Sequence, residues 1–201
     1  MNMTTAIAFP QARTPIPTDL QVGIVATDEE RFKAYAVRIA VYIEGQDCPW
    51  DEEFDGNDLV ASHVLAQLDG EPVGCIRLRF FAGFAKLERL AVRDCFRGRG
   101  FADPLVQFAL DHVARKGYDT LVLHAQAGRE TFWQQYGFAP LPGRPHFDFS
   151  GVAYTEMVAT LTPSVDSASL QWAAMRQNRP EGDWDRPGVL EGSGTQLQPS
   201  A

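Results

Sequence analysis

The feature that most constrains the fold of this sequence is a glycine-rich turn between a predicted strand and a predicted helix. Residues 87–92 read as a strand, residues 97–102 (Arg-Gly-Arg-Gly-Phe-Ala) as a tight turn, and residues 100–116 as an amphipathic helix. Glycine lets a backbone approach a ligand closely, and the first amides of a helix are free to bind an anion. The pattern therefore predicts a phosphate-binding loop, and a pyrophosphate fits it physically.

Two charged side chains and one proline support this interpretation of the loop. Arg97 and Arg99 add positive charge that can pair with phosphate, and Pro104 occupies the first helical turn, where an amide has no helical partner. A dinucleotide fold is disfavoured because the preceding strands are joined as a hairpin and no G-x-G-x-x-G is present. A P-loop is excluded because the sequence lacks G-K-[ST].

The rest of the chain predicts one α/β (α+β) domain with a mixed sheet and helices on both sides. Thr27 and Glu30 form a capping-box pair before the first helix. That helix is expected to bury an apolar face of Phe32, Tyr35, Ala36, Ile39, Ala40 and Ile43. The predicted strands are 20–26, 62–68, 73–80, 85–92, 120–125, 146–149 and 152–161, and the predicted helices are 28–43, 100–116 and 129–136.

Composition divides the chain into three parts. Residues 1–18 hold three prolines and predict an irregular arm, 19–162 are predicted to form the domain, and 163–201 predict a tail that is either partly disordered or docked through Trp172 and Trp184. No apolar run is long enough to span a bilayer, and the first ten residues lack a basic region. We therefore expect a cytoplasmic protein without a membrane partner.

Charge and cysteine content narrow the possible ligands. The net charge of -8, from 18 basic and 26 acidic residues, argues against a nucleic-acid partner and suits a cationic small substrate. The three cysteines are too widely spaced for a zinc site. Asp51, Glu53, Asp55 and Gly56 resemble the start of a calcium loop, but its twelfth position is Ser62, so no metal is expected.

Two motifs resemble a known family. Residues 97–102 are similar to the R/Q-x-x-G-x-G/A signature of the GNAT superfamily of N-acetyltransferases, and residues 132–138 (F-W-Q-Q-Y-G-F) resemble its F-Y-x-x-x-G-F helix end. Residues 20–161 follow the family's element order. The resemblance implies a mixed, mostly antiparallel twisted sheet with helices on both faces. It also implies transfer of an acetyl or short acyl group from CoA to a primary amine of a small molecule or peptide, and it leaves a homodimer open.

The resemblance implies cofactor-binding residues on the strand before the loop, in the loop itself and at Gln126. Backbone amides of Leu90, Ala91 and Val92 would hold the pantetheine arm like an added strand, and one would polarise the thioester oxygen. The amine would then attack directly in a ternary complex. The remaining predicted CoA contacts are Arg97, Gly98, Arg99, Gly100, Phe101, Ala102 and Gln126.

Catalytic acid and base candidates come from the strands. Glu88 could take the amine proton directly or through water, or it could instead be a structural partner of Arg77 or Arg89. The tyrosine that similar proteins use as an acid is replaced by Trp133. Tyr136 is expected to pack under the helix, and Tyr154 on the last strand is a candidate for the acid.

The substrate site is predicted from an acidic segment before the second strand. Glu53, Asp55 and Asp58 would form an acidic lip that attracts a cationic amine, unless they belong to a merely solvated loop.

Two other functions remain open from the sequence. Residues 38–42, 50–58 and 74–78 faintly resemble acyl-homoserine-lactone synthases, which accept acyl carriers. The loss of the usual tyrosine at Trp133 is also compatible with a CoA-binding sensor that no longer catalyses.

Overall fold

A computed structural model describes residues 17–143, 146–149 and 151–162 of the chain. The predicted arm, apart from residues 17 and 18, and the predicted tail at 163–201 lie outside the described residues. Within the described ranges no helix has the length and apolar character required to cross a bilayer.

Eight strands form one sheet in the order β1-β2-β3-β4-β5-β8-β6, with β7 paired to β8. The pair β4–β5 is parallel, and the other pairs among these strands are antiparallel. This confirms the mixed, mostly antiparallel sheet. The strands are β1 Leu20–Ile24, β2 Ser62–Leu68, β3 Glu71–Phe80, β4 Ala85–Val92, β5 Thr120–Gln126, β6 Ala139–Pro140, β7 Phe147–Phe149 and β8 Val152–Thr160.

Among the described residues, two long helices and three short ones lie between the strands along the chain. The long ones are α1 Asp28–Arg38, which continues as a π-helical segment over Ile39–Ile43, and α4 Ala102–Arg115. The short ones are α2 Glu44–Gln46, α3 Trp50–Glu53 and α5 Glu130–Gln134, with 3₁₀ turns at Asp58–Val60 and Asp94–Phe96.

The two long helices cover opposite faces of the sheet. Successive side chains of a strand point to opposite faces. Cys75 packs with Val37 and Val41 in the small core under α1, whereas Ile76 packs with Leu105 in the larger core under α4. Each face therefore has its own hydrophobic core, which confirms the prediction of helices on both sides.

Helix α1 begins as predicted but buries a different face. Thr27 and Glu30 form the expected capping box. The predicted apolar face is wrong, because Phe32 is 69% exposed while Ala34, Val37 and Arg38 are buried. Hydrophobicity misled the prediction because the buried face carries an arginine, which an apolar periodicity does not detect.

Candidate active site

The sheet splits between its two central strands. Strands β4 and β5 pair only across Ala85–Leu87 and Leu121–Leu123, so their register ends one residue before Glu88. Strand β4 nevertheless continues beside β3 as far as Val92. Beyond the paired residues, one edge of β4 therefore faces a gap instead of a neighbouring strand.

The hydrogen-bond alternation of β4 shows which backbone groups face this split. The amide of Arg93 donates to the carbonyl of the opposite residue Val73 (3.0 Å), so at this end of β4 alternate residues bond to β3. Ala91 is therefore directed to β3, and Leu90 and Val92 are directed into the split. Their carbonyls accordingly accept from side chains: Leu90 from the Tyr42 hydroxyl (2.7 Å) and Val92 from Arg97 Nε (3.1 Å).

The predicted phosphate loop lies at the end of this strand. Gly98 and Gly100 have φ values of 72° and 81°, in the left-handed region that favours glycine. The Arg97 side chain, 52% exposed, pairs with Asp94. The Arg99 guanidinium lies over the ring of Phe101 at 5.0 Å. The loop thus presents backbone amides and two positive charges at the start of α4.

A cleft of about 720 Å³ joins this loop to helix α5. Its walls are Val92 and Phe96, residues of the loop and of the first turn of α4, Thr131, Phe132 and Gln134 of α5, and Gln135 directly after α5. Within α5 the Trp133 ring is buried, and nearby Tyr136 donates its hydroxyl to Asp103 in α4. These lining residues were not predicted, although three of them, Phe132, Gln134 and Gln135, lie in the F-W-Q-Q-Y-G-F motif that is visible in the sequence.

The predicted catalytic side chains lie on the opposite face of the sheet from this cleft. Leu87 and Leu123 belong to the core under α4, so their neighbours Glu88 and His124 point to the α1 side. Gln126 pairs with Tyr154 across β5 and β8 on that same side, with 3.5 Å between the amide nitrogen and the hydroxyl. The split is thus lined from both faces of the sheet.

Glu88 is held by a set of basic side chains. Its Oε2 accepts from Arg77 Nη2 at 2.8 Å, and its Oε1 lies 2.8 Å from Lys86 Nζ and 3.9 Å from Arg79. Burial acts to raise the pKa of Glu88, but the hydrogen bond from Lys86 and the charge of Arg77 outweigh it, so the pKa lies below its usual value. Glu88 is therefore a carboxylate at neutral pH.

The acidic segment does not form the expected open lip. Glu53 is only 1% exposed, and its two carboxylate oxygens lie 2.5 Å from Arg38 and 2.8 Å from Arg89. Asp58 is also buried and pairs with both Arg38 and Arg77. Sequence spacing showed three carboxylates in a polar segment, but their arginine partners come from α1, β3 and β4, and nothing local to the segment indicates them.

Asp55 and His63 complete this buried ionic cluster. Asp55 binds Arg77 through both oxygens, at 2.9 and 2.8 Å, which holds its pKa well below its usual value despite partial burial. His63 is buried beside Asp58, and burial lowers the pKa of His63 to about 4. Within the described residues, no group of three or more metal-ligating side chains is arranged to hold an ion.

Comparison with known proteins supports the relationship indicated by the motifs. A family model described as an acetyltransferase (GNAT) domain matches residues 47–161. The chain is also similar to YjcF, an uncharacterized N-acetyltransferase of Bacillus subtilis (strain 168), with 28% identity over 137 residues that span 68% of this chain and 97% of the relative.

Solved structures share the fold. An acyl-CoA N-acyltransferase from Pseudomonas aeruginosa aligns with a TM-score of 0.64 and 25% identity, covering 70% of this chain and 99% of the other. A GNAT family acetyltransferase from Elizabethkingia anophelis with acetyl-CoA bound aligns with a TM-score of 0.56 and 18% identity, covering 73% and 99%.

Proposed function

Because this chain belongs to the GNAT acetyltransferase family, we propose that it transfers an acetyl or short acyl group from CoA to the primary amine of a small molecule or peptide. The chain is an acyltransferase by its family. The observation that carries the finer proposal is the split between β4 and β5, which opens beside the glycine-rich loop. Donor and acceptor can meet there from opposite faces of the sheet.

The residues of the cleft fit the donor. Backbone amides of the loop and of the first turn of α4 would hold the pyrophosphate, supported by Arg97 and Arg99. The amides of Leu90 and Val92, which face the split, would bind the pantetheine arm as a partial added strand. When bound, CoA supplies an activated acyl thioester.

The acceptor amine would approach from the α1 face, where Glu88, Gln126 and Tyr154 lie. A backbone amide at the split would stabilise negative charge on the thioester oxygen, and the neutral amine would attack in a ternary complex. Of the three predicted acceptor-binding carboxylates, Asp55 is the most accessible, with 28% of its side chain exposed. Asp55 would therefore attract a cationic amine, but only from the edge of the ionic cluster.

Glu88 and Tyr154 are the proposed base and acid. Glu88 is ionised at neutral pH, so it can accept the amine proton directly or through water and pass it to solvent. Tyr154 pairs with Gln126 next to the split and carries a hydroxyl that can donate to the departing thiolate. The Trp133 indole, buried among aromatic rings, has no acidic group for this step.

Steady-state kinetics with Glu88→Gln test this proposal. Release of free CoA is measured from pH 7 to 10 on the best acceptor from a panel of amines, together with acetyl-CoA affinity by calorimetry. Turnover is expected to fall by about 10²-fold at pH 7, the usual scale for losing a general base, and less at high pH, where more amine is already neutral. Acetyl-CoA affinity should hardly change.

Lys86→Met is the matched control, because it removes a basic partner and leaves the Glu88 carboxylate in place. Losing that hydrogen bond raises the pKa of Glu88, but the charge of Arg77 remains, so Glu88 should stay ionised and activity should persist from pH 7 to 10. A wild-type rate for Glu88→Gln at every pH would leave Glu88 as a structural partner of Arg77. Tight acetyl-CoA binding with no turnover across the amine panel would instead favour a CoA sensor.

A further inference from the structure

We propose that Arg89 is a positioning residue, whose guanidinium, anchored on Glu53, holds the backbone bulge that opens β4 away from β5. This inference rests on the proposed function, since the bulge directly precedes the amides assigned to the acyl-CoA. It deepens that function by giving Glu53 a role different from the predicted acceptor binding.

The bulge is visible in the pairing of β3 with β4. Cys75 pairs with Ala91 and Arg77 pairs with Glu88, so the single residue Ile76 lies opposite two residues, Arg89 and Leu90. Such an insertion bends a strand and ends regular pairing. The bend falls just where the register between β4 and β5 ends.

Arg89 has an unusual backbone conformation for its residue type. Its φ is 56°, in the left-handed region, which a bulge of this kind normally fills with glycine. A side chain there costs free energy because Cβ approaches the following carbonyl oxygen. Contacts made by the Arg89 side chain can offset this cost.

The guanidinium makes those contacts with a buried anchor. Arg89 Nε lies 2.8 Å from Glu53 Oε2, and Nη2 donates to the Glu52 carbonyl at 2.7 Å. Glu53 is fixed in turn by Arg38, which is fully buried in α1. The bulge is thus tied through α3 to the helix on the α1 face.

A second contact holds the next residue of β4 in place. The Tyr42 hydroxyl donates to the Leu90 carbonyl at 2.7 Å from the π-helical segment that extends α1. Because a peptide unit is planar, this bond fixes the whole Leu90–Ala91 peptide. Two consecutive residues at the bulge are therefore held by two segments of the α1 face.

Substitutions at position 89 separate the effect of the guanidinium contacts with Glu53 and Glu52 from the effect of the left-handed backbone conformation. Arg89→Ala removes these contacts but keeps a Cβ. The strand should therefore relax towards extended geometry, and the split should narrow. Acetyl-CoA affinity should then fall by about tenfold, which corresponds to ~1.4 kcal/mol and lies within the cost of a left-handed residue. Arg89→Gly also removes these contacts, but glycine adopts the left-handed conformation freely, so most of the acetyl-CoA affinity should be recovered. The affinity of Arg89→Asn should lie between those of the alanine and glycine variants.

Asp69 provides a matched control. It also has a positive φ, 52°, but lies in the turn between β2 and β3. Asp69→Ala carries a similar backbone penalty far from the bulge, so it should lower the melting temperature without changing acetyl-CoA affinity. All affinities are measured by calorimetry well below each variant's melting temperature, so that only folded protein is compared.

Hydrogen exchange gives a readout that does not need the ligand. The exchange rates of the backbone amides in residues 88–92 are measured by mass spectrometry on the free protein. They should differ from wild type in Arg89→Ala and return towards wild type in Arg89→Gly. Equal exchange and equal affinity in Arg89→Ala and wild type would overturn the positioning role. If wild type itself fails to bind acetyl-CoA, the proposed function fails, and the exchange comparison still decides the role of Arg89.

Discussion

The two sides of the split are built in different ways. On the α4 side, the glycine-rich loop is one continuous segment, open to solvent, that offers backbone amides and the exposed Arg97. On the α1 side, a buried ionic cluster combines charged side chains from α1, the acidic segment, β3 and β4, including Arg38, Glu53, Asp58, Arg77 and Glu88.

This difference teaches which part of the site depends on local sequence and which on the complete fold. A loop made of backbone amides needs only glycines at the right spacing. A buried charge needs partners in place, because removing one leaves another uncompensated in a low-dielectric interior. We therefore expect the α4 side to respond to mutation through binding and the α1 side through stability.

The largest effect is expected for Arg38→Met. Methionine fills a similar volume but leaves Glu53 and Asp58 without one of their cationic partners, so the free energy of unfolding should fall by about 3–5 kcal/mol. Denaturant unfolding measures it. Arg97→Met on the exposed loop is the control and should change stability by about 0.5 kcal/mol at most. If Arg38→Met lowers the free energy of unfolding by less than about 1 kcal/mol, the two sides of the split do not differ in the way expected.

The next effect is expected for Gly100→Asp, which tests the α4 side by binding. Its φ of 81° disfavours any Cβ, and a carboxylate there repels phosphate, so acetyl-CoA affinity should fall by about 10²-fold or more. Calorimetry on folded protein decides it. Gly100→Ala separates backbone strain from charge, and Gly70→Asp, with a φ of 80° in a distant turn, should bind normally. Unchanged affinity in Gly100→Asp would remove the loop from the donor site.

A smaller effect is expected on the pH dependence of stability, through His63 in the buried ionic cluster. The folded pKa of His63, about 4, lies below its ordinary value, so the unfolded chain binds the extra proton as pH falls from about 6.5 towards 4. Stability should therefore drop through that window, by about 1–2 kcal/mol between pH 7 and 5. His63→Gln should lose that part of the drop in denaturant unfolding. The same slope in both proteins would show that His63 does not titrate differently on folding.

The smallest effect is expected for Arg97→Ala. An exposed charge near phosphate is screened by salt, so acetyl-CoA affinity should fall by roughly threefold at low salt and by less at about 0.5 M NaCl. Calorimetry at the two ionic strengths measures it. A salt-independent loss would mean that Arg97 acts through its bond to the Val92 carbonyl and not through charge.

Sequence reasoning succeeded where the signal was local. Strands Ser62–Leu68 and Ala85–Val92 have the predicted bounds, and the capping box at Thr27 was confirmed, because alternation and turn residues act over a few positions. The β6 strand, Ala139–Pro140, was missed, since two residues carry no period.

Non-local features could not be predicted in the same way. The face that α1 buries depends on Arg38 meeting Glu53 and Asp58, a pairing that exists only after three segments meet. The Arg89 bulge was equally invisible, because arginine is not a residue type that signals a left-handed φ. The predicted CoA loop and the catalytic roles of Glu88 and Tyr154 remain predictions.

The short seam between β4 and β5 also has a mechanical consequence. Three residues on each strand join the meander of β1–β4 to the group formed by β5–β8. Because few hydrogen bonds cross this seam, we expect the sheet to bend more easily here than within either half. If acyl-CoA binds in the split as proposed, it would contact both halves of the sheet, and the complex should bend less at the seam than the free protein.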